Sequence, residues 1–486
     1  MAKLYVGAGS APINPEKELF PISNGHFDMG GGSREQEAVY DDCLCRAIAV
    51  DNGRRRILFV CYEIIDPPCI DDLEGILAEK TGFCREDIVL TATHNHSAPR
   101  DHGWFGWLPE SEREKVYYRR IYEIELEAGI RAAQTAVSSM RPAKYGYGET
   151  KSYVNVNRDV QTPFGYWVEG KNLEGFSDKT LAIIKFVDEE ERLIAALMNH
   201  ATHATCIYMM KDADGREKTS GNFTGIASRF VEKHFGNGAV AMWTAGAAGD
   251  QNPLVSHGLQ YEYPDGYSSA VEYPAGTGYQ MMEYAGRMHG ADCVRGIEEI
   301  TDYSDNMPIF RVKRSAWLPA HRLADPEREN PFRMGGNGLR EEKEFPYGSV
   351  PPAPDPPKMA DDPDHPVELK LQLILLGDIA IVGMNGEIYN QIGMEIKKAS
   401  PYRKTFILTH TDKEKTGYIL DKASRGKKVF QAYRRVKPGA ADEVIVKNTL
   451  EMFKEVLDLP KIHPEQAYLH CEAEDWRRYA FTNIYS

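Results

Sequence analysis

The chain contains no run approaching the ~20 uninterrupted apolar residues that a helix needs to cross a bilayer. Its opening, Met1-Ala-Lys-Leu-Tyr-Val-Gly, has no apolar core of signal-peptide length. Together these absences predict a cytoplasmic protein without a membrane partner. Positive charge is also in deficit, since 58 Lys and Arg face 72 Asp and Glu for a formal net charge of −14. A phosphate backbone or an anionic membrane surface rewards a basic patch, so no nucleic-acid partner is expected. Cysteine is sparse, eight in 486 residues, and Cys43, Cys45 and Cys61 lie inside apolar runs. Buried reduced thiols explain that distribution better than a disulfide framework. Cys43-x-Cys45 lacks the spacing of a zinc knuckle and reads as core. No internal repeat or heptad is visible, and nothing in the sequence sets the oligomeric state.

What is present alternates between two periodicities. Cys43–Val50, Arg56–Tyr62, Asp87–Thr93, Thr180–Val187, Arg192–Met198 and Ala239–Thr244 read as strands. Pro109-Glu-Ser111-Glu-Arg-Glu114 carries a capping box that opens a long amphipathic helix running to about Met140, where Arg141-Pro142 stops it. Further helices are predicted at Thr224–Phe235, Met281–Ile300 and Ala440–Leu457, and a hairpin at Val367–Val382 around Gly377-Asp378. Two long segments, 256–278 and 318–366, do not read as regular structure, the second ending its proline-rich stretch in Pro351-Pro-Ala-Pro-Asp-Pro-Pro. Loops of that length inside a domain are usually lids or linkers. The prediction is an α/β fold, mixed β-sheets flanked by helices, forming one large catalytic domain over residues 1–486 with a long loop excursion at 316–366.

The candidate chemistry begins at Asp87-Ile-Val-Leu-Thr-Ala-Thr-His94-Asn-His96-Ser97, where an apolar strand ends in two histidines spaced by one residue. In an extended chain such residues share a face, so both imidazoles would converge past the strand end. Taken alone the pair is either a metal or catalytic site or two hydrogen-bonded histidines under a loop. A second apolar run, Leu193–Met198, leads into Asn199-His200-Ala-Thr-His203 and favours the first reading.

Set side by side, several short motifs resemble those of the neutral/alkaline (non-lysosomal) ceramidase family in its N-terminal catalytic domain. They are Val6-Gly-Ala-Gly-Ser-Ala-Pro-Ile-Asn14-Pro15, Ala92-Thr-His94-Asn-His96-Ser97-Ala-Pro99, Asn155-Val-Asn157-Arg158, Ala201-Thr-His203-Ala, Ser220-Gly-Asn-Phe-Thr-Gly225, Gly249-Asp250-Gln251-Asn252-Pro253, Gly386-Glu387 and Thr416-Gly-Tyr418-Ile. Their order along the chain is more specific than any one of them. The family's immunoglobulin-like C-terminal domain is not expected here. Carried over residue by residue, the resemblance implies a Zn²⁺ ion held by His94, His203, Glu387 and Tyr418. Two imidazoles, a carboxylate and a phenolate suit zinc. His200 is read as a packed or supporting histidine rather than a ligand. His96 would then serve as general base or oxyanion donor, and Arg158 as a cationic fork toward a substrate carbonyl or carboxylate. Tyr433, in Phe430-Gln-Ala-Tyr433, matches a second family tyrosine that donates to the tetrahedral intermediate.

One position departs from the family pattern. Where ceramidases place a nucleophilic serine in Gly-Asp-Val-Ser-Pro-Asn, this chain has Asn252, and an amide cannot form an acyl-enzyme. Ser97, Ser220 and Thr244 lie near the motifs without an evident base. Attack by zinc-activated water is the economical alternative, with Asp250 either orienting that water or capping its own loop. Arg100, Arg158 and the tyrosine-rich stretch at 261–279 suggest a polar or anionic substrate. The expectation is therefore a zinc-dependent hydrolase cleaving an amide or related carbonyl bond in a soluble polar small molecule. The alternatives are a zinc-dependent lyase or glycoside-directed enzyme on a uronic-acid-like substrate, and a catalytically dead ligand-binding relative.

Overall fold

β-Branched and apolar residues fill the central strands, which assemble into three sheets around one shared interior. In the first the order is Ile88–Ala92, Arg56–Tyr62, Leu44–Asp51, Tyr5–Pro12, Arg141–Pro142. The second runs Val240–Ala245, Leu193–His200, Thr180–Val187, Lys144–Lys151, and the third Ile309–Leu318, Val367–Leu376, Ile379–Met384, Lys404–Leu408. Period-two alternation gives each strand two faces. Ile48, Ile57, Phe59 and Val89 of the first sheet, Ile184, Phe186, Leu197 and Met242 of the second, and Ile374, Ile381, Phe406 and Leu408 of the third form one buried cluster. The opposite faces are covered by helices. Leu73–Thr81 and Glu112–Ser138 pack on the first sheet, Asn222–Phe235 and Thr277–Glu299 on the second, and Asn390–Ala399 and Asp442–Ile462 on the third.

This computed structural model describes residues 3–27, 33–99, 112–161, 167–207, 210–255, 259–262, 268–270, 274–324, 358–412 and 416–462. Within them the α/β expectation holds, and the predicted strands, the four helices and the hairpin are present with ends shifted by a few residues. Ser111, Arg100 and most of the 318–366 stretch lie outside the described residues. The parts of the two long segments that are described carry short strands at Leu259–Glu262, Ser268–Ala270, His321–Leu323 and Met359–Asp361, where no regular structure was predicted. Backbone pairing rather than side-chain pattern forms them. Cys43, Cys45 and Cys61 are buried free thiols as expected. No helix among the described residues is long and apolar enough to cross a membrane.

Each sheet is mainly antiparallel but closes on one parallel pair: Arg56–Tyr62 with Ile88–Ala92, Leu193–His200 with Val240–Ala245, and Ile379–Met384 with Lys404–Leu408. A parallel pair places two carboxyl ends side by side. The segments leaving these six ends carry Glu63 and Asp66, His94 and His96, His203, Asp250 and Asn252, Glu387, and His410. Ligands in open α/β sheets sit at such ends for the same reason. A further antiparallel sheet, Gln251–Pro253, Asn155–Gln161, Trp167–Asn172, Leu259–Glu262, Ser268–Ala270, supplies Arg158 and Glu169 to the same end.

Thr409, buried to 1% exposure, ties the three sheets at that floor. Its N–H donates to Ala245 O at 2.9 Å and its hydroxyl to Ala245 O and Gly246 O at 3.1 and 2.9 Å, while its carbonyl accepts from Thr91 Oγ1 at 3.3 Å. Thr409→Val keeps the shape and removes the hydroxyl, leaving the Gly246 carbonyl short of a donor while Ala245 O keeps the Thr409 N–H. The expected cost is about 1–3 kcal/mol, read as a lower urea midpoint at unchanged m-value.

Candidate metal centre

The His94/His96 pair converges, but not through an extended strand as the i, i+2 argument supposed. The strand ends at Ala92, and His94 takes a left-handed backbone conformation with φ 57°. Asn95 holds the resulting turn: its side chain donates to Glu63 O at 3.1 Å and Ser220 O at 2.6 Å and accepts from Ser97 N at 2.9 Å. The turn brings His96 Nε2 to 3.2 Å from His94 Nε2. His94 Nδ1 is 2.7 Å from Ile65 O and His203 Nδ1 is 3.0 Å from Gln251 O. Only an Nδ1–H can bond a carbonyl, so both rings carry their proton there and present the Nε2 lone pair inward.

Glu387 meets these nitrogens from the third sheet. Its Oε2 lies 3.2 Å from His203 Nε2 and 3.4 Å from His94 Nε2. The short strand Gly386–Ile388 pairs in parallel with Gly417–Ile419, register Glu387↔Tyr418, which sets the two side chains on one face. The loop bearing Asp250 passes so close that a Cβ on Gly249 would stand 2.5 Å from Glu387 O. Only glycine fits there. Tyr418 is buried, and burial followed by the Glu387 carboxylate pushes its phenol well above the ordinary range. His203 is shifted down, by burial first and then by the Arg158 charge, with Glu387 opposing.

The residues present fit a divalent cation. His94, His96, His203 and Glu387 bring donor atoms to within 3.2–3.4 Å of a neighbour, about the spacing between ligand atoms around one small ion. His94, His96 and His203 form one possible metal-holding group, and Asp66, His94 and His410 another.

Arg158 occupies the neighbouring position as a hub. Nη1 donates to Glu169 Oε1 at 3.2 Å and Asn252 Oδ1 at 3.3 Å, and Nη2 to Gly249 O at 2.7 Å. With its oxygen turned toward the guanidinium, the Gln431 amide accepts from Nε and Nη2 at 3.2 Å each. All five N–H groups are thus engaged by protein, whereas the sequence reading gave Arg158 a free fork for substrate. Its guanidinium carbon also stands 5.3 Å from the Tyr418 ring centroid and 5.6 Å from that of Phe430. Asn252 Nδ2 donates to Glu169 Oε1 at 2.6 Å, so its amide sits between the Glu169 carboxylate and the Arg158 guanidinium.

Both oxygens of Asp250 are engaged, Oδ1 by Asn390 N and Oδ2 by Asn157 Nδ2, each at 2.8 Å, the arrangement of a loop cap. Burial and the nearby Asp159 charge push its carboxyl up to about 7. Tyr433 packs with Tyr418, Tyr389, Trp167 and Phe430 beside the centre, and burial raises its phenol to about 12. Ser97 Oγ accepts from Asn222, Ser220 Oγ accepts from Asn222 N, and Thr244 Oγ1 donates to Met198 O. These hydroxyls hold backbone and turns. Glu169, Asp66 and His410 were missed in the sequence. His410 follows an apolar strand just as His94 does and could have been found by the same rule; Glu169 lies on a polar strand that carries no such signal.

His200 lies apart from this cluster. Its Nδ1 is 3.0 Å from Thr180 O, its Nε2 is buried without a partner, and its ring lies tilted against that of His289 at 5.2 Å between centroids. Burial lowers it from 6.5 to about 4. The folded state therefore holds its proton less well than the unfolded state, so the associated stability is present above pH 6.5 and is lost as pH falls toward 4. Between pH 7.5 and 5 that amounts to about 2 kcal/mol. His200→Leu should flatten this part of the acid limb by a comparable amount in denaturant titrations at the two pH values.

The mixed α/β fold carries a buried imidazole–carboxylate cluster, a candidate metal site, at the carboxyl ends of its strands. Residues 31–270 match the family model described as neutral/alkaline non-lysosomal ceramidase, N-terminal, and the chain belongs to that ceramidase family. The match spans His94, His96, Arg158, His203, Asp250 and Asn252 and ends before Glu387, Tyr418 and Tyr433. Among solved structures, a neutral ceramidase from Pseudomonas aeruginosa shares the fold at TM-score 0.63 and 16% identity over 93% of this chain and 75% of that one. A ceramidase described as complexed with C2 does so at TM-score 0.65 and 15% identity over 93% and 76%. At these identities the likeness carries the fold. The family supports a hydrolase of amide bonds.

Purified protein is expected to carry about one zinc per chain, and His94→Ala or His203→Ala should lose it while circular dichroism stays near wild type. Full zinc content in both variants, measured by mass spectrometry, would sink the assignment.

Proposed function

We propose that the protein is a zinc-dependent hydrolase that cleaves an amide or related carbonyl bond of a soluble polar small molecule through an activated water, without an acyl-enzyme. The observation that carries this reading is the convergence of inward Nε2 lone pairs and the Glu387 carboxylate on one point, their tautomers set by Ile65 O and Gln251 O. His94, His203, Glu387 and Tyr418 would hold the cation. Bound there, it would polarise a carbonyl oxygen and make water acidic enough to attack near neutral pH.

The chain's own residues supply the rest. His96 is only partly buried while His94 and His203 are closed off, so it is the imidazole placed to take a proton from water and return it to a leaving nitrogen. Arg158 cannot grip a substrate with free hydrogens; it fixes Tyr418, Asn252 and Glu169 and holds a positive charge behind them. Asn252 occupies the position that the family resemblance gives to a nucleophilic serine. After its bonds to Glu169 and Arg158, one N–H and one lone pair remain for substrate or water. The net charge of −14 and the polar side chains of Glu169 and Asn252 beside the centre support a water-soluble substrate over a long-chain lipid.

Zinc-loaded protein screened against soluble amides, esters and uronic-acid glycosides, with long-chain ceramide for comparison, tests the reading. Turnover of an amide or ester that disappears in His203→Ala supports it, and an unsaturated uronate product would instead mark a lyase. Asn252→Ala is expected to lower turnover on the order of 10²-fold, with His96→Ala costing at least as much. Asn252→Ser should not create ceramidase activity. Quenched-flow mass spectrometry should detect no adduct on any serine or threonine during turnover, and an adduct would overturn the mechanism.

A further inference from the structure

Three side chains beside the centre close a triangle of hydrogen bonds. Asn252 Nδ2 donates to Glu169 Oε1 at 2.6 Å, while Arg158 Nη1 donates to the same Oε1 at 3.2 Å and to Asn252 Oδ1 at 3.3 Å. A guanidinium can only donate and an ionised carboxylate can only accept. The amide between them therefore has one orientation, its oxygen toward Arg158 and its nitrogen toward Glu169. Arg158 decides which atom is the oxygen; Glu169 takes one of the two amide N–H groups and so fixes the direction of the other. Asn252 is the open corner of the triangle. Within Gln251–Pro253 it is partly exposed between two buried neighbours, and the side chains of Arg158 and Glu169 are only 3% and 10% exposed.

The backbone supplies an independent observation. Strand Asn155–Gln161 pairs Val156 with Asn252 on one side. On the other it pairs Asn157 with Asn172 and then Asp159 with Glu169, one residue out of step. In an unbroken ladder Glu169 would share a face with Asp159, and Arg158 would point to the opposite face. A register shift of this kind re-aims a side chain, and here it stands beside the one that reaches Glu169. The pairing also sets two acids across from each other, which disfavours the sheet. Asp159 is neutralised by Lys427 at 2.9 Å and Glu169 by Arg158. An amide at residue 169 would avoid that repulsion, so the carboxylate there has a use other than holding the strands together.

We propose that Glu169 is a positioning residue that aims the second N–H of Asn252 at a hydrogen-bond acceptor of the substrate, the carbonyl oxygen of the bond to be cleaved. The inference rests on the hydrolase reading of the centre. As the oxygen of water bonds to the carbonyl carbon, the C=O π pair moves onto the carbonyl oxygen and the water proton passes to His96. The aimed N–H meets the negative charge that grows on that oxygen.

An exchange of side chains tests this. Glu169→Gln combined with Asn252→Asp moves the carboxylate to residue 252 and the amide to residue 169, so net charge is kept while residue 252 loses its N–H. The zinc-loaded full chain is assayed for 4-nitrophenyl acetate hydrolysis and, by calorimetry, for binding of acetohydroxamate, whose carbonyl oxygen carries part of a negative charge. Asn252→Asp alone sets two carboxylates in contact and should lower the urea midpoint, and the exchange variant should recover it. The exchange variant should still lose kcat on the order of 10²-fold at little changed KM and bind acetohydroxamate about 10-fold more weakly. Glu169→Ala should weaken acetohydroxamate to a similar degree at unchanged zinc content, and Glu169→Gln, which still offers an acceptor, should restore most of the affinity. Wild-type turnover and affinity in the exchange variant or in Glu169→Ala would overturn the inference and leave the hydrolase reading standing. A loss in Glu169→Gln as deep as in Glu169→Ala would do the same. A wild-type protein that neither cleaves the ester nor binds acetohydroxamate would overturn both.

Discussion

Everything at the functional end depends on three sheets being held in register where their parallel pairs stop, and Thr409 is where that register is enforced. A single residue bonds Ala245, the last residue of a second-sheet strand, and the Gly246 after it, and accepts from Thr91 of the first, while it follows directly on a strand of the third. Each sheet contributes a candidate ligand from a different pair of strand ends, so a relative slide of any one would part the side chains of His94, His203 and Glu387. The apolar interior shared by the three inner faces gives cohesion but little directional precision. Hydrogen bonds with fixed geometry supply the precision.

Much of this was legible in the sequence because the central strands are continuous apolar runs, the signature of strands buried on both faces. Those runs located Arg56–Tyr62, Ile88–Ala92, Thr180–Val187 and Leu193–His200, and with them His94, His96 and His203. Lys144–Lys151 was invisible for a physical reason. Its sequence, Lys-Tyr-Gly-Tyr-Gly-Glu-Thr-Lys, has poor strand propensity, and its glycines are there because a Cβ on Gly146 or Gly148 would stand 2.4 or 2.6 Å from Ile300. Tertiary packing overrides local preference in such a case. Arg158 and Asn252 were found by motif, but that the guanidinium is consumed by Glu169, Gln431 and Gly249 O could only come from three dimensions.

The histidine pair shows how a correct conclusion can rest on a different geometry. An extended strand would have put His94 and His96 on one face with their Cα atoms nearly 7 Å apart along the chain. The left-handed His94 instead folds the chain back, so that His96 N donates to Ala204 O at 3.1 Å and the turn is stitched to the loop that bears His203. One backbone rotation thereby couples the histidines carried by two sheets. Asn95, between the histidines, is fully buried and bonds the carbonyls of Glu63 and Ser220, which explains why an amide rather than an apolar residue separates the two imidazoles.

The closed guanidinium of Arg158 has a further consequence for selectivity. A cation whose every hydrogen is already committed exerts a potential without a shape: it can favour or reject a molecule by charge distribution, but it cannot read where an oxygen lies. Recognition by outline must then fall to other groups, the second N–H of Asn252 among them. Under the proposed function, an arrangement of this kind would select by charge before it selects by outline, a basis for chemical breadth within one class of polar substrates.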